Sequence, residues 1–254
     1  MHVEYLTARL ESGRCNLTAN ADDSPQALLL DVGGTLIEAR PSPPEVYARV
    51  LGRWGPAVDA ETVAPVFRAV WAELNELHPT GLDRYHHLKG GEREWWGEFL
   101  RRVLTRLAHP APWRPVLAEL FEAFADPTLW YVFPEVRGVL ERMRGRGVPM
   151  AVVSNWDSRL PELLDRLGLS PYFSSVHVSA LEGVEKPAAE IFLRAAARLG
   201  VAPSACLHVG DSPLDDYRGA ESAGLRAVLV DRLAMFSNGY RRISTLEELD
   251  AYFG

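Results

Sequence analysis

Five short, mostly apolar runs recur along the chain, at 27–30, 150–153, 174–178, 206–209 and 226–230, and each ends in a polar or glycine-containing turn. A strand covered on both faces shows a continuous apolar run and not alternation, so these segments predict buried parallel strands. Between them lie stretches with helical periodicity, at 135–146, 158–167, 187–199 and 214–223. Strand and helix alternate with short connections, which predicts an α/β fold with a doubly wound parallel sheet.

Between the first run and the second lie more than a hundred residues, far beyond an ordinary crossover. From about Pro43 to Pro127 apolar residues recur at three-and-four spacing: Val66, Val70, Leu74 and Leu77, then Trp95, Trp96, Phe99 and Val103, then Leu117, Leu120 and Phe121. This predicts an inserted bundle of roughly four helices set over the strand ends. The expected organisation is an extension at 1–26, poorly ordered, then a core of 27–41 and 130–254 interrupted by an α-helical insertion at 42–129. Pro41, Pro43, Pro44, Pro127 and Pro134 mark the hinges, and 38–42 is the expected flap. The tail 245–252 reads as a closing amphipathic helix.

Composition narrows the function. A net charge of -7 does not supply the basic footprint that nucleic-acid or anionic-membrane binding needs. Cys15 and Cys206 are the only cysteines, far apart and without metal-ligand spacing, which fits a reduced, cytoplasmic setting. Residues 1–26 hold no continuous apolar run, so neither a signal peptide nor a membrane span is expected there. Of 27 Lys and Arg residues only Lys89 and Lys186 are lysines, so each invites a chemical reason.

In open parallel sheets ligands bind beyond the carboxyl ends of the strands. Four turns occupy such positions: Asp31-Val32-Gly33-Gly34-Thr35, Ser154-Asn155, Lys186-Pro187, and Gly210-Asp211-Ser212-Pro213-Leu214-Asp215-Asp216. Taken singly, each is an ordinary turn, helix cap or helix start. Taken together, they bring carboxylates to one rim, where mutual repulsion raises their pKa values unless a cation sits among them, and oxygen donors suit Mg2+. A hydroxyl and an ammonium on the same rim complete what phosphoryl transfer requires.

In the order of these motifs the chain resembles the haloacid dehalogenase superfamily, from about Ala27 onward, with the inserted bundle matching a C1-type cap. The resemblance implies a Rossmann-like core and a hydrolase, most often a Mg2+-dependent phosphatase of a small phosphorylated metabolite, monomeric or homodimeric. It implies Asp31 as nucleophile, Thr35 as the supporting turn residue beside the substrate, Ser154 as phosphate-binding hydroxyl, and Lys186 as the cation joining nucleophile and phosphate. Asp31, the Gly33 backbone carbonyl and Asp211 match the metal ligands, with Asp215 or Asp216 as the outer acid, the spacing to Gly219-Ala220 favouring Asp216. Asn155 and Trp156 follow Ser154 directly and are expected at the substrate. The helical cap and the Ser154-Asn155-Trp156-Asp157 segment look most like the subgroup called haloacid dehalogenase-like hydrolase domain-containing protein three.

One position departs from the family pattern. Its phosphatases carry a second aspartate two residues after the nucleophile as general acid and base, and here that residue is Gly33. Losing such a group typically costs ~10²- to 10⁴-fold, most for alkyl esters whose leaving oxygen needs a proton. Three readings follow: a weakened or altered phosphatase, a protein binding a phosphorylated ligand without turnover, or a dehalogenase- or phosphonatase-like hydrolase, Lys89 being the one cap lysine for the last. Retention of Asp211 argues against the metal-free dehalogenases.

Within the cap, Tyr85, His86, His87, Lys89, Arg93, Trp95 and Trp96 form the most polar and aromatic stretch. The plainer expectation is bundle core for the tryptophans and solvated surface for the histidines. Adjacent helical residues point in different directions, so at most one of each pair faces the site. His208, inside a strand run, is expected to be a buried neutral histidine, and Cys206 a small apolar filler.

Overall fold

The computed structural model describes residues 24–77, 81–86, 89–236 and 239–253; residues 1–23 of the extension expected at 1–26, and His87, lie outside them. Six parallel strands form one sheet: β1 (Ala27–Leu30), β4 (Met150–Ser154), β5 (Ser175–Val178), β6 (Cys206–Gly210), β7 (Arg226–Val230) and β8 (Arg242–Ile243), in the order β5-β4-β1-β6-β7-β8. The order turns back at β1, which places the topological switch at the middle of the sheet. The fold is the expected Rossmann-like doubly wound α/β architecture.

Alternation within the apolar runs serves two layers, as successive strand residues point to opposite faces. Leu28, Leu30 and Val152 pack with Val139, Leu140 and Met143 of α5 (Val136–Gly145) and with Leu163 and Leu164 of α6 (Leu160–Arg166). Leu29, Ala151 and Val153 face the other way, against Ile191, Phe192 and Ala195 of α8 (Ala189–Leu199).

Four α-helices make up the insertion after β1: α1 (Pro43–Trp54), α2 (Ala60–Glu76), α3 (Gly91–Arg106) and α4 (Trp113–Ala125). They enclose a core of their own around Tyr47, Val70, Trp95, Phe99 and Leu120. The chain enters and leaves this bundle through a two-stranded antiparallel ribbon, β2 (Ile37–Ala39) against β3 (Trp130–Val132), which the periodicity did not announce because three residues carry no readable alternation.

Two helical expectations change form. The segment expected as one helix over 214–223 opens as a π-helical stretch, Pro213–Arg218, before α9 (Gly219–Ser222), with the Asp216 and Tyr217 amides both reaching the Ser212 carbonyl at 3.1 Å. The tail forms a short 3₁₀ helix, Leu246–Ala251, and not an α-helix. Its buried residues Leu246 and Leu249 are three apart, the spacing that eclipses side chains in a 3₁₀ turn. No described helix is long and apolar enough to cross a membrane.

Candidate active site

Strands β4, β1 and β6 are neighbours, so their carboxyl ends set Ser154, Asp31 and Asp211 side by side at roughly the inter-strand spacing of ~4.8 Å. Ser154 donates its hydroxyl to Asp31 Oδ1 at 2.9 Å, and Lys186 Nζ donates to the same oxygen at 2.6 Å. Both side-chain bonds fall on Oδ1. Lys186 also reaches Asp216 Oδ1 at 2.6 Å, so one buried ammonium lies between two buried carboxylates.

The backbone of Lys186 is held from β4. Asn155 clamps it at both ends of its amide: its Oδ1 accepts from the Lys186 N–H at 2.7 Å and its Nδ2 donates to the Lys186 carbonyl at 2.9 Å. The Asn155 side chain, expected at the substrate, is engaged chiefly in positioning Lys186. Thr35 is fully buried in the loop after β1, and its hydroxyl has no hydrogen-bond partner among the described residues.

The structure separates the neighbouring acids at the β6 turn. Asp216 is buried and saturated: Oδ1 takes Lys186 and His208 Nε2 at 2.9 Å, and Oδ2 takes the Ser212 N–H at 2.9 Å. Asp215 is only partly buried and lies outside the cluster of facing carboxylates. His208 is wholly buried beneath, edge-on to Phe192, and burial holds its pKa below the ordinary value against the pull of Asp216. A neutral ring with its proton on Nε2 matches the bond to Asp216, and its Nδ1 has no partner among the described residues.

One oxygen each of Asp31, Asp211 and Asp216 lies within 4.8 Å of the others. Three carboxylates face one ammonium, a formal excess of negative charge that a divalent cation would cancel. Burial raises the Asp31 carboxyl, with Lys186 opposing; Asp211, exposed on the outer side of the rim, is still pushed up to about 7 by partial desolvation and the Asp31 charge. Burial also works against ionisation of Asp216, but Lys186 and His208 outweigh it and hold that acid below the usual range. Asp211 enters no ion pair among the described residues, so its oxygens stay free for a ligand. Hard, partly uncompensated oxygens of this kind fit Mg2+.

Two glycines make this approach possible. A Cβ on Gly34, whose φ is +72°, would lie 2.2 Å from Asp211 Oδ2, and one on Gly210 would lie 2.1 Å from Asp216 Cγ. At Gly33 φ is not positive, and an added Cβ would meet Trp156 Cζ3 at 3.3 Å. The Trp156 ring therefore closes over the position from which a side chain at residue 33 would project.

The helical bundle docks on this rim through polar contacts. Arg84 pairs with Glu185, next to Lys186, with Nε at 2.8 Å, and both side chains are nearly buried. Glu92 accepts from the Ser158 N–H and hydroxyl, Trp96 Nε1 donates to Asp157 Oδ2 at 3.1 Å, and Arg159 pairs with Asp157 while donating to the Phe121 carbonyl. Between bundle and rim lies a cavity of about 390 Å³, with Trp156, Asn155 and Asp157 in its wall. Trp96 and Tyr85 line it, whereas Trp95 is bundle core; His86, Lys89 and Arg93 are exposed.

Sequence reasoning missed four residues: Arg84, Glu92, Arg159 and Arg232. Arg232 donates to the carbonyls of Gly34 at 3.3 Å and Thr35 at 2.9 Å and pairs with Glu135, fastening the loop that carries Asp31. Its place just past β7 is the one signal that could have found it. The other three form contacts between segments distant in sequence.

A family model described as haloacid dehalogenase-like hydrolase matches residues 25–224. The haloacid dehalogenase-like hydrolase domain-containing protein 3 of Mus musculus is 35% identical over 206 residues, 80% of this chain and 80% of its own. A phosphoserine phosphatase of Thermus thermophilus is 40% identical over 141 residues, 54% of this chain and 57% of its own. Among solved structures, a magnesium-bound HAD-hydrolase of Bacillus subtilis matches with a TM-score of 0.72 at 19% identity, over 91% of this chain and 99% of that one, a likeness of fold.

Proposed function

The chain belongs to the haloacid dehalogenase-like hydrolase family, and on that premise we propose that it is a Mg2+-dependent hydrolase of a small phosphate monoester, working through an aspartyl-phosphate on Asp31. The observation that carries this reading is the Lys186 ammonium bridging Asp31 and Asp216 while Ser154 shares the same Asp31 oxygen. Those bonds orient the carboxylate and leave Oδ2 as the attacking atom. Asp31, Asp211 and the Gly33 carbonyl, which the hydrogen bonds closing its loop leave unused, are the groups that would hold the metal, with Asp216 as the outer acid. When bound, Mg2+ supplies charge neutralisation for the phosphoryl oxygens.

In the first step Asp31 Oδ2 attacks phosphorus, and Ser154 and Lys186 offer the phosphoryl group a hydroxyl and a positive charge. The leaving oxygen finds no acid at Gly33. In the second, water attacks phosphorus and returns Asp31 to its carboxylate, again without a base at position 33, so the aspartyl-phosphate accumulates and a burst precedes steady turnover. The bundle, docked through Arg84, Glu92 and Trp96, covers the inner side of the rim and leaves Asp211 exposed. The reading places the protein in the cytoplasm, as monomer or homodimer, acting on a small phosphorylated metabolite and on neither nucleic acid nor membrane.

Hydrolysis of p-nitrophenyl phosphate with and without Mg2+ tests it. Turnover should require Mg2+, and Asp31→Asn should lower it on the order of 10⁴- to 10⁶-fold, as loss of a nucleophile does. Full activity in Asp31→Asn would sink the proposal. Gly33 favours a second reading, a protein that binds a phosphorylated ligand without releasing product. Tight Mg2+-dependent phosphate binding with no turnover in the same assay would select it.

A further inference from the structure

The cavity beneath the bundle is walled mainly by rings: Tyr47, Phe67, Trp71, Trp96, Phe124 and Trp156 all contribute. Most of these rings are already held by their neighbours. Phe67 and Trp71 stack at 6.5 Å, Trp71 meets Trp96 at 5.9 Å, and Trp130 meets Trp156 at 5.0 Å. A volume of about 390 Å³ falls in the range of small-molecule pockets, and such walls favour a flat aromatic body. The cavity adjoins the rim directly, since Trp156 lines it, packs over Gly33 and lies two residues from Ser154.

No described group in this wall is an acid suited to protonating a leaving oxygen near neutral pH. Asp157 is already engaged by Arg159 and Trp96. Tyr47 and Tyr85 are phenols whose pKa burial raises further. At the adjoining rim Lys186 is spent between two carboxylates, and Asp211 is a metal ligand in the reading above. Position 33, where a carboxyl would stand, has no side chain, and a tryptophan ring closes over it.

Resting on the phosphohydrolase reading above, we propose that the substrate is an aryl phosphate, whose aromatic group occupies the ring-lined cavity and whose oxygen leaves as an aryl oxide without protonation by the protein. Asp31 Oδ2 forms the new bond to phosphorus, and the phosphorus–aryl oxygen bond breaks with its electron pair on oxygen. The aryl oxide takes its proton from solvent after release. Water then attacks the aspartyl-phosphate, giving inorganic phosphate and the Asp31 carboxylate, with its surplus proton passing to solvent. The missing acid at Gly33 and the aromatic wall thus answer to one substrate class.

The test compares kcat/KM with Mg2+ for 2-naphthyl phosphate, hexyl phosphate and acetyl phosphate, the last having a weakly basic leaving group and no ring. Naphthyl phosphate should exceed hexyl phosphate by on the order of 10²- to 10⁴-fold, the range a missing acid commands. Within substituted phenyl phosphates the rate should climb steeply as the phenol becomes more acidic. Trp71→Leu should lower naphthyl phosphate hydrolysis roughly 2- to 12-fold, the value of one aromatic contact, and lower acetyl phosphate hydrolysis less. Leu117→Trp, which fills the cavity without removing a ring, should act in the same direction if Trp71→Leu fails to fold. Without metal or turnover, 2-naphthol should bind and quench the cavity tryptophans, and Leu117→Trp should weaken that binding. Hydrolysis of acetyl phosphate with naphthyl phosphate no better than hexyl phosphate overturns this proposal and leaves the phosphohydrolase standing. Hydrolysis of none of the three overturns both.

Discussion

At the strand ends, Asp31, Asp216, Lys186 and Ser154 are tied to one another by bonds of 2.6–2.9 Å, and hardly a carbon atom separates their charges. A few residues away the cavity wall is rings, with its one buried carboxylate, Asp157, neutralised by Arg159. The first region is built on loops leaving a rigid sheet, the second on helices of an insertion with a separate core. Chemistry that moves charge needs groups fixed to fractions of an ångström, and recognition of an apolar body needs area more than bond geometry. Gly33 lies where the two regions meet, beneath Trp156, and there the polar machinery gives way to the aromatic wall.

Putting a carboxyl back at that junction is expected to have the largest effect. Gly33→Asp should raise hydrolysis of alkyl phosphates by up to ~10²- to 10⁴-fold, provided the Trp156 ring yields the few tenths of an ångström that the added Cβ demands. Gly33→Asp with Trp156→Phe should therefore exceed the single variant, and equal steady-state rates would show that the ring is no obstacle. Next comes the bond between the regions. Arg84→Leu strands a nearly buried Glu185 and should cost about 3–5 kcal/mol in urea denaturation. Arg84→Leu with Glu185→Leu should recover much of that loss, and additive losses would mean that the pair does not hold the bundle down.

A smaller effect concerns the metal. Below about 7 Asp211 keeps its proton in the metal-free protein, and that proton competes with a cation. Calorimetric Mg2+ affinity should rise about tenfold per pH unit up to that value and level off above it, whereas a flat profile would remove Asp211 from the ligand set. The sign for stability is the reverse. The unfolded chain releases this proton earlier than the folded one, so the metal-free protein should lose stability as pH rises from about 4 to about 7. Least of all should Lys89→Ala matter: the side chain is exposed and lines no part of the cavity, so turnover should hold, and borohydride should trap no Schiff base on it.

The apolar runs, the helical periodicities between them and the long interval after the first strand determined the parallel sheet and announced the inserted helices by themselves, because each is a local record of which faces are buried. The four strand-end turns were legible for the same reason, and Lys186 was conspicuous as one of two lysines. Between Asp215 and Asp216 the spacing only leaned to Asp216, and tertiary structure supplied the physical difference. Neighbours in sequence, they differ only in that the π-helical turn aims one of them at Lys186 and His208. It likewise divided Trp95 from Trp96, sending one into the bundle and the other to the cavity and Asp157. The β2–β3 ribbon, the Arg84–Glu185 pair and the Arg232 fastening were hidden because each joins segments some ninety to two hundred residues apart. Periodicity records burial along one element and holds no information on which distant partner will meet it.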